Sequence, residues 1–136
     1  MPIAWDPATM ASGIPTVDQQ HRQLIEWLND LLAAMSQDQG GAEVAAVLAR
    51  LDTYADTHFA FEERCMVKYR CPVARINMAA HAYFMKTFGE LRDEYEAGDV
   101  SPDLALRVER DLAQWFADHI KRIDAKLAPC VKRAAA

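Results

Sequence analysis

The chain contains four histidines, His21, His58, His81 and His119, and three of them have a second metal-ligating type of side chain nearby in sequence. Glu62 follows His58 by four residues, Asn77 precedes His81 by four, and Asp124 follows His119 by five. A spacing of four puts two side chains on one face of a helix. A spacing of five turns about 140° around an ideal helix, so His119 and Asp124 converge only if the metals are spread along the axis or the helix distorts. Imidazoles with carboxylates that can bridge suit iron, manganese or zinc better than magnesium or calcium. Four imidazoles and two carboxylates are also more than one tetrahedral zinc needs.

Helices must carry these residues. Four long segments repeat apolar residues at helical spacing, which predicts helices over about 17–36, 42–69, 73–97 and 102–128. The first stripe is Val17, His21, Leu24, Leu28, Leu31 and Met35. The second is Val44, Leu48, Leu51, Ala55, His58, Glu62 and Cys65, and the third Ala74, Asn77, His81, Phe84, Phe88, Leu91 and Tyr95. The fourth is Ala105, Val108, Leu112, Trp115 and His119, with Ser101 as N-cap and Pro102 in the first turn. Thr16 and Gln19 suit a capping box for the first helix. A lone histidine on such a stripe is most often a core residue with a backbone partner. A strict seam, however, covers about two positions in seven, so chance puts all four on stripes less than about 1% of the time. The joint pattern therefore favours ligation. No Lys or Arg falls on these stripes to balance a buried Glu62, which would otherwise be costly or neutral; a metal cation supplies that charge.

The expected architecture is all-α: one domain over 1–136, an antiparallel up-down-up-down four-helix bundle with an irregular arm over 1–16. Reversals are expected at Gly40–Gly41 and over 98–102, and Trp5 is expected to pack its ring on the bundle. The 15 Lys+Arg and 20 Asp+Glu give a net charge of −5, which disfavours a nucleic-acid partner. The longest apolar run, 44–49, is six residues, too short to span a membrane. The first ten residues hold no Lys or Arg, so no signal peptide is expected and the expected location is the cytoplasm. There Cys65, Cys71 and Cys130 are expected as free thiols. Met66, Met78 and Met85 are expected as core filler. Glu63, turned about 100° from Glu62, is expected to be solvated or to pair helices rather than to bind metal.

Several of these stretches resemble bacterial hemerythrins: Ile3-x-Trp5, Gly13-Ile14, Val17-Asp18, Gln20-His21 and 24–29 at the start, then His58-x-x-x-Glu62-Glu63-x-x-Met66, His81-x-x-Phe84 and His119-Ile120-x-x-x-Asp124. The resemblance covers almost the whole chain. It implies two non-haem iron ions, one held by His21 and His58 and the other by His81 and His119. Glu62 and Asp124 would bridge them, with an oxo or hydroxo group completing the core. It further implies dioxygen binding at the His21/His58 iron. The chain departs from the family where a second histidine is usual on the third helix and Asn77 stands instead; Cys71 also replaces a usual tyrosine. Asn77 is either a weak ligand through its carbonyl oxygen or a position left to water.

The expected function is a di-iron protein that binds dioxygen as carrier, store or sensor. The alternative is a di-iron enzyme acting on peroxide, nitric oxide or dioxygen, and a structural bundle with a degenerate site is a third. Azide, peroxide and nitric oxide are expected as further small ligands. The oligomeric state is not legible.

Overall fold

The computed structural model describes residues 3–36, 41–98 and 101–135. Its elements are α1 (Pro7–Met10), α2 (Pro15–Ser36), α3 (Gly41–Lys68), α4 (Ala74–Glu96), α5 (Pro102–Val108), a π-helical segment (Glu109–Gln114), α6 (Trp115–Arg122), a 3-10 turn (Asp124–Lys126) and α7 (Leu127–Ala135), with no strand among the described residues. α2 packs on α3 and α3 on α4, while α5 and the π-helical segment pack on both α2 and α4 and so close a four-helix bundle. Gly40 and residues 99–100, where reversals are expected, lie outside the described residues.

The local reasons are readable. Ser101 Oγ accepts from Leu104 N at 3.3 Å and Pro102 opens α5, as capping chemistry requires. α2 starts earlier than Thr16, at Pro15, whose fixed φ suits a first helical position. Its entry is closed by Ser12, whose N–H donates to Asp18 Oδ1 at 2.8 Å and whose Oγ accepts from Ile14 N at 3.1 Å. The arm is less irregular than expected: α1 is one turn, capped by Asp6 Oδ1 accepting from Ala8 N. Ile3 and Asn29 exchange two hydrogen bonds of 2.9 and 2.8 Å, which fasten the arm to α2. Trp5 is half-buried against the bundle core, and Met10 is buried within that core. Gly13 has φ +84°, and a Cβ there would stand 3.2 Å from Ala128 Cα, so only glycine fits this approach to α7.

The core has two apolar parts. The larger holds residues such as Leu24, Leu28, Leu51, Phe59, Phe84, Phe88, Leu112, Phe116 and Ile120. The smaller holds Met66, Cys71, Leu127 and Cys130. Met66 and Cys71 meet because α3 ends in a Schellman turn, with Cys71 N bonding to Met66 O and Arg70 N to Val67 O. Arg70 takes the left-handed φ of +52° that this turn demands. Met78, expected in the core, is 47% exposed.

Two expectations need correction. Cys71 and Cys130 are not free thiols: they form a disulfide, with Cα atoms 5.6 Å apart, and Cys65 alone is free. They lie 59 residues apart in sequence, so only the tertiary approach of α7 to the α3–α4 corner reveals the pair. The segment expected as one helix over 102–128 is also divided. Pro129 in a continuous helix would lose its bond to the carbonyl of Ala125 and clash with it. The chain instead bends at Ile123 (φ −115°, ψ −58°) and restarts at Leu127, which puts Pro129 in the first turn of α7. Upstream, the π-helical segment shifts the register, so that Phe116 is buried where Trp115 was expected and Trp115 is only partly covered.

Candidate metal centre

The helices α2, α3, α4 and α6 and the 3-10 turn after α6 deliver their polar residues to the layer between the two apolar parts of the core. On α2, His21 precedes Leu24; on α3, His58 and Glu62 lie between Ala55 and Met66; on α4, Asn77 and His81 lie between Ala74 and Phe84. His119 on α6 and Asp124 in the 3-10 turn lie between Phe116 and Leu127. All seven are buried, none more than 6% exposed. The bend at Ile123 brings His119 Nε2 and Asp124 Oδ1 to 3.1 Å, which an unbroken helix would not do at a spacing of five.

The geometry is paired. Glu62 Oε2 lies 2.8 Å from His21 Nε2 and 3.4 Å from His58 Nε2, while its Oε1 lies 3.2 Å from His81 Nε2. Asp124 divides in the same way, with Oδ2 3.2 Å from His21 Nε2 and Oδ1 facing His119. Ligand atoms from Glu62, His81, His119 and Asp124 all lie within 4.8 Å of one another, and so do ligand atoms from His21, His58 and Glu62. Asn77 Nδ2 donates to Glu62 Oε1 at 2.7 Å and to Met66 Sδ at 3.2 Å. Its Oδ1 faces His119 Nε2 at 2.7 Å.

These short approaches are mostly not hydrogen bonds. His21 Nδ1 and Nε2, His58 Nε2, His81 Nε2, Glu62 Oε2 and both Asp124 oxygens are buried without an aligned partner. Buried polar atoms are normally satisfied, so atoms that crowd together without pointing at one another indicate a shared missing partner. Electrostatics agree on its sign. Burial alone would raise the Glu62 carboxyl, but His21, His58 and His81 hold it well below the ordinary carboxylate range. Burial lowers His21, yet Asp124 and Glu62 outweigh it and push the imidazole up to about 10. Burial dominates at His58 and lowers it. The two carboxylates thus draw positive charge into the layer.

The outer nitrogens are fixed from neighbouring helices. His58 Nδ1 donates to Gln20 Oε1 at 2.7 Å, and His81 Nδ1 donates to Glu63 Oε2 at 2.9 Å. Both bonds leave Nε2 with its lone pair toward the layer. Phe59 stacks on His81 at 3.9 Å and Trp115 on His119 at 4.9 Å. Phe116 meets His21 edge-on at 5.8 Å. Gln20 carries no sign of this role in its local pattern, and Glu63, expected to be solvated or to pair helices, does the latter through a site histidine. The signal that could have found both is position: each precedes or follows a site residue by one and so faces the adjacent helix.

A four-helix bundle with imidazoles and carboxylates converging inward from every helix defines the dinuclear type of bundle metalloprotein. Residues 12–131 match the hemerythrin HHE cation binding domain. A bacteriohemerythrin of Stenotrophomonas maltophilia is 35% identical over 120 residues, covering 88% of this chain and 76% of the relative. One of Methylococcus capsulatus is 22% identical over 95% of this chain and 96% of its own. A solved wild-type hemerythrin superposes with a TM-score of 0.80 at 24% identity, covering 95% of this chain and 97% of that one. The chain belongs to the hemerythrin family, and with it to the non-haem di-iron proteins that bind dioxygen. The bundle fold expected from the helical stripes is thereby established. Among the described residues no helix is long and apolar enough to cross a membrane.

Proposed function

We propose that His21 and His58 hold one iron, that His81, His119 and Asn77 Oδ1 hold the other, and that Glu62 and Asp124 bridge them with an oxo or hydroxo group. The observation that carries this is the division of each carboxylate: its two oxygens face two different sets of imidazoles. When bound, the iron pair supplies the two electrons that dioxygen takes up on binding and returns on release. The chain's own part is to orient and to exclude water. Phe59, Phe116 and Trp115 wall the imidazoles, and Gln20 and Glu63 fix two of the rings. The first set offers four protein donors and the second five, so dioxygen, azide, peroxide or nitric oxide would enter on the His21/His58 side. A cytoplasmic location belongs to the same proposal; there the Cys71–Cys130 disulfide would face cytosolic reductants, and fractionation of cells with the chain detected in each fraction tests the location.

A second reading has one observation behind it. Asn77 is a poorer donor than the imidazole usual in the family, which favours turnover of peroxide, nitric oxide or dioxygen over storage. The test of both is iron reconstitution without air, elemental analysis, then admission of air with absorbance recorded. Two irons per chain and a long-lived, reversible spectrum support the carrier, store or sensor. Two irons with rapid bleaching and turnover support the enzyme. One tightly bound zinc and no iron would overturn the ligand assignment.

A further inference from the structure

The two sets of donors are not supported alike. Gln20 and Glu63 occupy equivalent places: each is the sequence neighbour of a site residue, each is turned about 100° from it on its helix, and each accepts the Nδ1–H of a histidine on the next helix. They differ in charge. His58 leans on a neutral carboxamide at 2.7 Å and His81 on a carboxylate at 2.9 Å. The charged partner sits on the side where Asn77 stands among the donors. Glu63 also reaches outward: its side chain is 25% exposed, on an open groove shared with Ala60, Arg64, Val67, Lys68 and Met78. It is therefore held by His81 on one side and open to solvent on the other.

We propose that Glu63 is a positioning residue that makes the Asn77-containing metal position viable. This rests on the ligand assignment above. A carboxylate accepting Nδ1–H raises the basicity of the opposite nitrogen and fixes the ring. Glu63 thus strengthens the His81 Nε2 donor beside Asn77, where an imidazole is missing. Phe59, stacked on His81 with an interplanar angle of 11°, holds the same ring by its face, so the carboxylate fixes its rotation about that stack. Gln20 exerts a weaker pull on His58, whose position has no Asn77 to offset. Glu63 touches no donor atom directed into the layer, and its effect passes entirely through His81.

The experiment compares the 136-residue chain with Glu63→Gln, Gln20→Glu and the double exchange, each reconstituted with ferrous iron without air. Circular dichroism establishes that each variant is folded; the substitutions are nearly isosteric at partly covered positions. Iron affinity is read by chelator competition and the midpoint potential by spectroelectrochemistry. Glu63→Gln should weaken one iron of the two by roughly 10- to 100-fold and move the potential to more positive values. Gln20→Glu, which acts on His58, should leave the affinity of the iron at His81 and His119 unchanged and move the potential to more negative values. A purely structural role would change melting temperature without these shifts. If Glu63→Gln binds both irons as tightly as the parent and keeps its potential, the inference fails and the ligand assignment stands. If the parent chain takes up no iron pair, both fail.

Discussion

Reducing the Cys71–Cys130 disulfide tests whether the corner of α3 and α4 is held to α7 as the structure has it. The two cysteines are 59 residues apart in sequence. Closing a loop of that length removes entropy from the unfolded chain worth about 4 kcal/mol at 25 °C. For a domain of this size about 4 °C of melting temperature accompanies each kcal/mol, so reduction should lower the midpoint by about 15 °C. Both sulfurs also approach the Lys126 carbonyl, Cys71 Sγ at 3.5 Å and Cys130 Sγ at 3.4 Å. That carbonyl belongs to the turn carrying Asp124. Loss of the disulfide should therefore loosen metal retention as well as lower stability. The assay is calorimetry of the oxidised and reduced chain and of Cys71→Ala/Cys130→Ala, with thiols counted by alkylation under denaturing conditions. One reactive thiol, Cys65, is expected before reduction and three after, since the chain has three cysteines and one disulfide. Three thiols in protein purified under air, or a midpoint unmoved by reduction, would refute the reasoning.

Other expectations follow from the buried polar layer. Asn77→His should tighten the second iron and slow decay of the oxygenated form, because imidazole is the stronger donor; an unchanged decay rate in stopped-flow absorbance would remove Asn77 from that role. In the metal-free chain, His21 is raised to about 10 from the ordinary 6.5, so its contribution to stability is full below 6.5 and is lost as pH rises through 10. Metal-free protein should accordingly melt lower at pH 10 than at pH 6.5, and a flat or rising midpoint would contradict it. Metal uptake must displace that proton, so metal affinity should rise by about tenfold per pH unit for each proton released. Glu62→Ala should lose iron and also narrow the gap between iron-loaded and iron-free melting temperatures; a gap equal to the parent's would show that Glu62 does not link the metals to the fold.

Much of the layer was legible because each donor lies on an apolar stripe at helical spacing, and a polar residue on such a stripe must be explained. His21, His58, Glu62, Asn77 and His81 all follow from that periodicity, since α2, α3 and α4 are continuous there. The fourth helix was less legible. Its register depends on a π-helical segment that no Gly or Pro marks. Its end depends on a bend six residues before Pro129, so His119 and Asp124 could be placed only conditionally. The disulfide was hidden for another reason: its loop is long, and the pairing follows from where α7 lands. Gln20 and Glu63 were hidden because they act across helices, and one sequence shows faces but not which faces meet.

The layered core explains why this bundle must be completed from outside its own packing. Seven buried polar atoms in it lack an aligned partner, and each such atom costs about 1–3 kcal/mol when left so. Together they rival the entire stability of an ordinary domain, about 5–15 kcal/mol. Protons offset part of this, as the raised His21 indicates, but a proton satisfies two atoms and a metal ion satisfies several. The two carboxylates then differ in how they are held. Glu62 sits within α3, an unbroken helix of 28 residues, six residues before its last residue Lys68, and the helix packs into both apolar parts, through Phe59 on one side of the layer and Met66 on the other. Asp124 has only a three-residue turn between α6 and α7. Its position is set by Leu127 and by the small apolar part that Met66, Cys71 and Cys130 complete. Changes in that lower part should therefore move Asp124 while Glu62 stays in place, which makes the disulfide, the Schellman turn and the bend at Ile123 one mechanical unit serving a single carboxylate.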